Sequence, residues 1–349
     1  ICELKFGNEN QEYLKGMYRL VKVYINGGEI EKLGKLNEEY AILYKKTKDK
    51  DLTAEVYKSF LEGNHQELLG DYEGAAKIFD KTFRKIKKSD KKGGIYINLE
   101  PEVKASVFIF TGNLKDAEEI LEDALKQKRA RYGAKGIPLV TTYLTYSKLK
   151  LEQGNLPKAK EFAVKAEEIL RESGQSESNI QLLQALELQA NLDMIVGDRE
   201  LALSKFEKLY EIEQEIYGAS HFKPAITNIK RAWMGYFVYG ELDKQLERVN
   251  SSLAIIKSKL SKNHPDYAFG NWMKAGLLLE KQEYENSLDI ADSAIATYQE
   301  IDTKHTMLIS LWSLKGDIYY QWGKVDDAIR EYENARKRAE KNLNPEHPA

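Results

Sequence analysis

The sequence predicts an all-α chain, an α-solenoid of about eight antiparallel helix-turn-helix hairpins with a period of about 42 residues. Three observations carry that expectation: a phrase that recurs at fixed spacing, amphipathic stripes on both sides of each copy, and small residues at matched offsets from it. Internal periods of this size mark repeat architectures, in which each unit buries its apolar face against the next.

The phrase is a small residue, a polar one, an apolar one, two more residues and then Ala. It reads Gly70-Asp71-Tyr72 with Ala75, Gly112-Asn113-Leu114 with Ala117, Gly154-Asn155-Leu156 with Ala159, Gly197-Asp198-Arg199 with Ala202, and Gly323-Lys324-Val325 with Ala328. Weaker copies stand at Gly28, Gly240 and Gln282. From Gly28 to Gly323 the spacings are 42, 42, 42, 43, 43, 42 and 41. A Gly at the junction suits the left-handed conformation that ends a helix, and Asp or Asn just after it caps the next helix. Pro157 falls in a first turn, where its missing N–H costs little.

The flanks are helical. Before Gly112 the chain reads Val103, Ser106, Val107 and Phe110 at i, i+3, i+4, i+7 spacing; after it come Leu114, Ala117, Leu121, Ala124 and Leu125, again one stripe. Seven positions before the junctions stand Gly63, Ala105, Ser147, Ala190, Ala275 and Gly316, and five after stand Ala75, Ala117, Ala159, Ala202, Ser287 and Ala328. Close helix crossings need such side chains, with large neighbours such as Phe79 and Tyr332 filling the groove beside them. The sixth hairpin breaks the pattern. Trp233 takes the small site and Gln245 replaces the usual Ala; a Trp cannot enter such a crossing without separating the helices or shifting register, which predicts a local change of superhelix curvature near residues 225–260.

In its last copy Trp312, Gly316, Tyr319, Gly323, Ala328, Tyr332 and Ala335 resemble the tetratricopeptide repeat (TPR) pattern, and the resemblance runs over roughly residues 8–342. The longer period, with connectors such as Asn263-His264-Pro265 and Glu346-His347-Pro348, is similar to the kinesin-light-chain-like subtype found in bacterial multidomain proteins, such as those joining TPR arrays to CHAT protease-like domains. The resemblance implies a right-handed solenoid, one array over residues 1–349, that binds a peptide, helix or partner domain in its concave groove. By the family's register the groove-facing candidates are Tyr18, Lys22, Tyr57, Phe60, Asn64, Lys148, Asn191, Lys230, Met234, Phe269, Trp272 and Asp317, with Glu102, Ser106, Thr141, Glu187, Thr227 and Ser313 in the same rows. Replacing Trp272 and Lys230 with Ala is expected to weaken binding and leave helicity intact. Chaperone-tail clamps of the family use a Lys and an Asn four apart, and pairs such as Phe60/Asn64 and Glu187/Asn191 do not supply it.

Chemistry is sparse. The sequence has no HExxH, P-loop or GxSxG motif, and Cys2 alone supplies neither a disulfide nor a zinc cluster. The expectation is a non-catalytic chain without cofactor or metal. A formal net charge of −2 disfavours nucleic acid and anionic membrane as partners. The basic run Arg84, Lys85, Lys87, Lys88, Lys91 and Lys92 reads as a solvated helix C-terminus. Cysteine usage favours a cytoplasmic setting. The chain opens on Ile1 and stops at Ala349 inside what resembles the start of another unit, so it reads as part of a longer protein. Partner readings are a scaffold, a regulatory or sensor arm of a multidomain enzyme (a CHAT-type protease or signalling kinase), and a signal-peptide receptor.

Overall fold

The computed structural model describes residues 11–27, 29–47, 52–89, 101–110, 114–301 and 307–342. Gly28, Gly112, Asn113, Cys2, Lys91, Lys92, His305 and the connector at 344–349 lie outside the described residues, as do the side chains of Lys22 and Lys87. The described residues form sixteen α-helices and no strand. They fall in order about the eight junctions: α1 (Gln11–Gly27) and α2 (Ile30–Lys46), α3 (Leu52–Leu68) and α4 (Tyr72–Ser89), α5 (Pro101–Phe110) and α6 (Leu114–Tyr132), α7 (Leu139–Glu152) and α8 (Leu156–Glu172). There follow α9 (Ile180–Val196) and α10 (Arg199–Tyr217), α11 (Phe222–Tyr239) and α12 (Leu242–Leu260), α13 (Pro265–Glu280) and α14 (Tyr284–Ile301), and α15 (Met307–Gln321) and α16 (Val325–Asn342). None of the described helices is long and apolar enough to cross a membrane.

The chain divides into two compact units, residues 1–127 and 128–349. In the first, Leu14, Val21, Leu33, Leu36, Tyr40 and Leu61 make a core in which α1 packs on both α2 and α3. The Tyr40 hydroxyl closes that core by donating to the Ala54 carbonyl at 3.0 Å. In the second unit each first helix packs on its own second helix, and from α9 onward also on the second helix of the hairpin before it. Contacts also run between successive first helices, α7 with α9, α11 with α13 and α13 with α15, so these helices share one wall.

The junctions follow their sequence. Gly70, Gly154, Gly197 and Gly323 have φ between 76° and 84°, a region that costs an L side chain about 1 kcal/mol. Asp71, Asn155 and Asp198 then accept from the backbone N–H three residues on, at 2.8, 3.2 and 3.3 Å. In the connectors His221 and His264 use Nδ1 as the cap, accepting from Lys223 N and Asp266 N.

The small positions meet as expected. Ser147 Oγ donates to the Ala159 carbonyl at 2.8 Å, and Ser287 Oγ to the Ala275 carbonyl at 2.7 Å, so the residue seven before a junction touches the one five after it. A Cβ on Gly63 would fall 2.5 Å from the Phe79 ring, and one on Gly316 would fall 2.5 Å from the Tyr332 ring. In the sixth hairpin the register shifts. Gly235, not residue 233, faces Gln245, whose amide would lie 3.2 Å from an added Cβ. The Trp233 ring leaves the crossing and rests on the next hairpin, within 2.6 Å of where a Gly276 Cβ would stand.

Candidate functional site

The wall shared by α7, α9, α11, α13 and α15 carries the chemistry of the second unit. Its rows lie thirteen, ten, six and three residues before each junction, which is the i, i+3, i+7, i+10 stripe of one helix face. At its middle, Lys230 is 8% exposed, and its Nζ is 2.8 Å from Glu187 Oε1. The ammonium also lies 5.8 Å from the centroids of Phe206 and Phe269. Lys230 holds the Glu187 carboxyl below the usual range, with Lys148 and Lys223 adding to the effect. Below this pair Glu213 is buried and accepts from Thr227 Oγ1 at 2.6 Å. Burial, helped by the Glu187 charge, pushes its carboxyl up to about 7 against the pull of Thr227, Lys230 and Lys223. Burial likewise lowers the Lys223 ammonium, which sits over the Tyr217 ring.

From Lys230 the strip continues through aromatic rings. Phe269 and Trp272 are 5.8 Å apart between centroids, Trp272 and Trp233 are 6.4 Å apart, and Trp233 meets Phe237 edge-on at 5.0 Å. The strip ends in an open pocket of about 460 Å³ between α11, α13 and α15. Its side walls are Trp233, Phe237, Trp272 and Tyr320, and Glu280 and Asp317 also line it. The space exists because the intervening positions are small. Gly276 lets the Trp233 ring lie against α13, and Ser310 and Ser313 on α15 leave room opposite. Tyr236 donates to Glu280 at 2.7 Å and Tyr332 donates to Asp317 at 2.6 Å, which fixes both carboxylates.

The sequence candidates distribute unevenly. Trp272 and Asp317 line the pocket, Phe269 and Lys230 form the strip leading to it, and Lys148 is exposed on α7. Asn191 is half-buried, and its Oδ1 is enclosed without a hydrogen-bond partner among the described residues. Met234, at 3% exposed, packs with Ala190, Ala202 and Phe206 and belongs to the core. In the first unit Tyr18 and Tyr57 stack at 4.1 Å, Phe60 is buried beneath them, and the Asn64 amide donates to the Phe60 carbonyl one turn back. Glu102 is buried and Ser106 exposed. Of the basic run, Arg84 pairs with Asp80 and Lys85 with Glu55. Sequence reasoning overlooked Phe237 and Tyr320, three before their junctions, and Glu280. The signal was present, since that row continues the stripe already used at thirteen, ten and six.

No family model matches this sequence, and no curated protein matches it in sequence. Solved structures do match in fold. A Rap protein complexed with Competence and Sporulation Factor superposes with a TM-score of 0.61 at 14% identity, covering 95% of this chain and 99% of that one. Aspartyl phosphate phosphatase F from Bacillus subtilis gives a TM-score of 0.51 at 14% identity over 96% of this chain and 95% of that one. A STAND protein with a tetratricopeptide repeat sensor from Pyrococcus horikoshii gives 0.54 at 16% identity over 94% of this chain, which spans 47% of that protein. The chain thus has the all-helical TPR-type repeat fold.

Proposed function

We propose that this chain is a non-catalytic binding module that holds a peptide, or an extended segment of a partner protein, against the first-helix wall of residues 128–349. The observation that carries the reading is the open pocket of about 460 Å³ at the end of the Lys230–Phe269–Trp272 strip. Its volume falls in the range of ligand sites, and its mixture of aromatic walls with a few fixed polar groups is what such sites use for anchoring and orientation. A protein or peptide partner, without nucleic acid or anionic membrane, accords with a net charge of −2. A neighbour in fold solved with Competence and Sporulation Factor, and another described as having a TPR sensor, add support. A sensor or regulatory arm of a larger protein is the second reading, favoured by the match to about half of the STAND protein.

The test is capture from a random hexapeptide display library, followed by titration of the selected peptides. Trp272→Ala is expected to weaken the selected peptides at least tenfold while the helical circular-dichroism signal persists. No enrichment, or equal binding by the variant, would remove the wall as a site. Lys230→Ala is a poorer probe than its sequence position suggested. Lys230 is nine-tenths buried against Glu187, so its loss perturbs the fold as well as the surface.

A further inference from the structure

Resting on that reading, we propose that the pocket between α11, α13 and α15 receives a cationic side chain, arginine or lysine, of the bound peptide. Four aromatic residues, Trp233, Phe237, Trp272 and Tyr320, line one space, and a ring face carries the negative end of its quadrupole. Glu280 and Asp317 join them, and no Lys, Arg or His is among the lining residues. The pocket therefore carries two carboxylates and no compensating cation of its own.

Each carboxylate is held by a tyrosine hydroxyl donated from outside the pocket, Tyr236 to Glu280 and Tyr332 to Asp317. One hydroxyl occupies one oxygen of each carboxylate. Among the described residues no ion pair engages either group, whereas on the first helix α9 Glu187 is neutralised by Lys230 and Asp193 by Lys160 and Lys205. The bond to Glu280 raises the Tyr236 phenol, and burial with the Asp317 charge raises that of Tyr332, so both remain donors at neutral pH. The Arg199 guanidinium of α10 stacks 4.2 Å from the Phe237 centroid, so one ring of the set already accepts a cation. An apolar side chain would fill the rings and leave the two carboxylates without a cationic partner. A guanidinium or ammonium satisfies both features at once.

The test uses the purified chain and hexapeptide pools with one residue fixed as Arg, Lys, norleucine, Phe or Glu, titrated by tryptophan fluorescence. Arg- or Lys-fixed pools are expected to bind roughly tenfold tighter than the norleucine pool. That preference should shrink as ionic strength rises. The double variant Glu280→Gln with Asp317→Asn should bring them to the norleucine level without changing norleucine binding. Both substitutions keep an acceptor for the tyrosine hydroxyls and lie on exposed positions, so the fold is retained. Tighter binding of the norleucine or Phe pools, or cationic binding indifferent to the double variant, would overturn the cation site and leave the binding module standing. Binding by none of the pools would overturn both.

Discussion

The sixth and eighth hairpins share one plan and part at the helix crossing. Seven residues before the junction the eighth has Gly316, over which the Tyr332 ring of its own second helix lies. The sixth has Trp233, and its ring cannot enter the crossing, so the contact moves to Gly235 and Gln245. The displaced ring packs on Gly276 of the following hairpin and becomes a wall of the pocket. Departure from the repeat thus moves a large aromatic group from inside one hairpin to the seam between two, where a ligand can reach it. The change also has a cost within the sixth hairpin. Gln245 is fully buried, with its Nε2 lacking a hydrogen-bond partner among the described residues.

The strongest way to break the comparison is Trp233→Ala. It restores the small residue that the repeat prefers, yet the loss of a large half-buried ring from two core clusters should cost about 3 kcal/mol. Urea unfolding followed by far-ultraviolet circular dichroism measures the loss, and peptide capture should fail with it. A variant as stable as the parent would mean that the sixth hairpin can return to the standard crossing and that the ring is dispensable to the seam.

Glu213 sharpens the comparison from the other side, because it joins α10 to α11 through Thr227. Its carboxyl titrates near 7 against 4.5 for an unperturbed glutamate. The folded state therefore holds a proton that the unfolded chain has released between those values. The contribution of Glu213 to stability is greatest below about 4.5, declines as pH rises toward 7, and is level beyond, a total of the order of 3 kcal/mol. Glu213→Gln keeps an acceptor for Thr227 and should abolish that slope, with a gain of about 2 kcal/mol at pH 8. Urea midpoints at pH 5 and pH 8 decide it, and parallel profiles for the two proteins would refute the assignment.

The hairpins, their junctions and the small-residue crossings were legible because each rests on local spacing: a glycine at positive φ, a cap, a stripe. The pocket was half legible. Trp272 and Asp317 follow from the register, whereas Trp233 reads only as a defect until Gly276, 43 residues on, is seen beneath it. The Glu213 environment was not legible at all. Its burial depends on how α10 and α11 pack, and no spacing in the sequence reports a desolvated carboxyl. Phe60 and Met234 show the converse limit, since a row that faces the wall still sinks where neighbouring helices close over it.

The smallest effect concerns the junctions themselves. At the seventh hairpin Gln282 holds φ at 62°, where the other described junctions in this conformation have glycine. A side chain there costs roughly 1 kcal/mol of backbone strain. Glycine removes that strain but adds freedom to the unfolded chain, which returns a part of the gain, on the order of half. Gln282→Gly should therefore stabilise the protein by a few tenths of a kcal/mol, visible as a rise of about one degree in Tm. The sixth junction provides the control. Gly240 has φ 72° and ψ −117°, a region closed to other residues, and it is followed by Glu241 at φ 51°. Glycine at 282 and at 240 must then act with the same sign, so a Gln282→Gly variant that melts lower than its parent would show that the Gln282 side chain contributes more than its backbone strain costs.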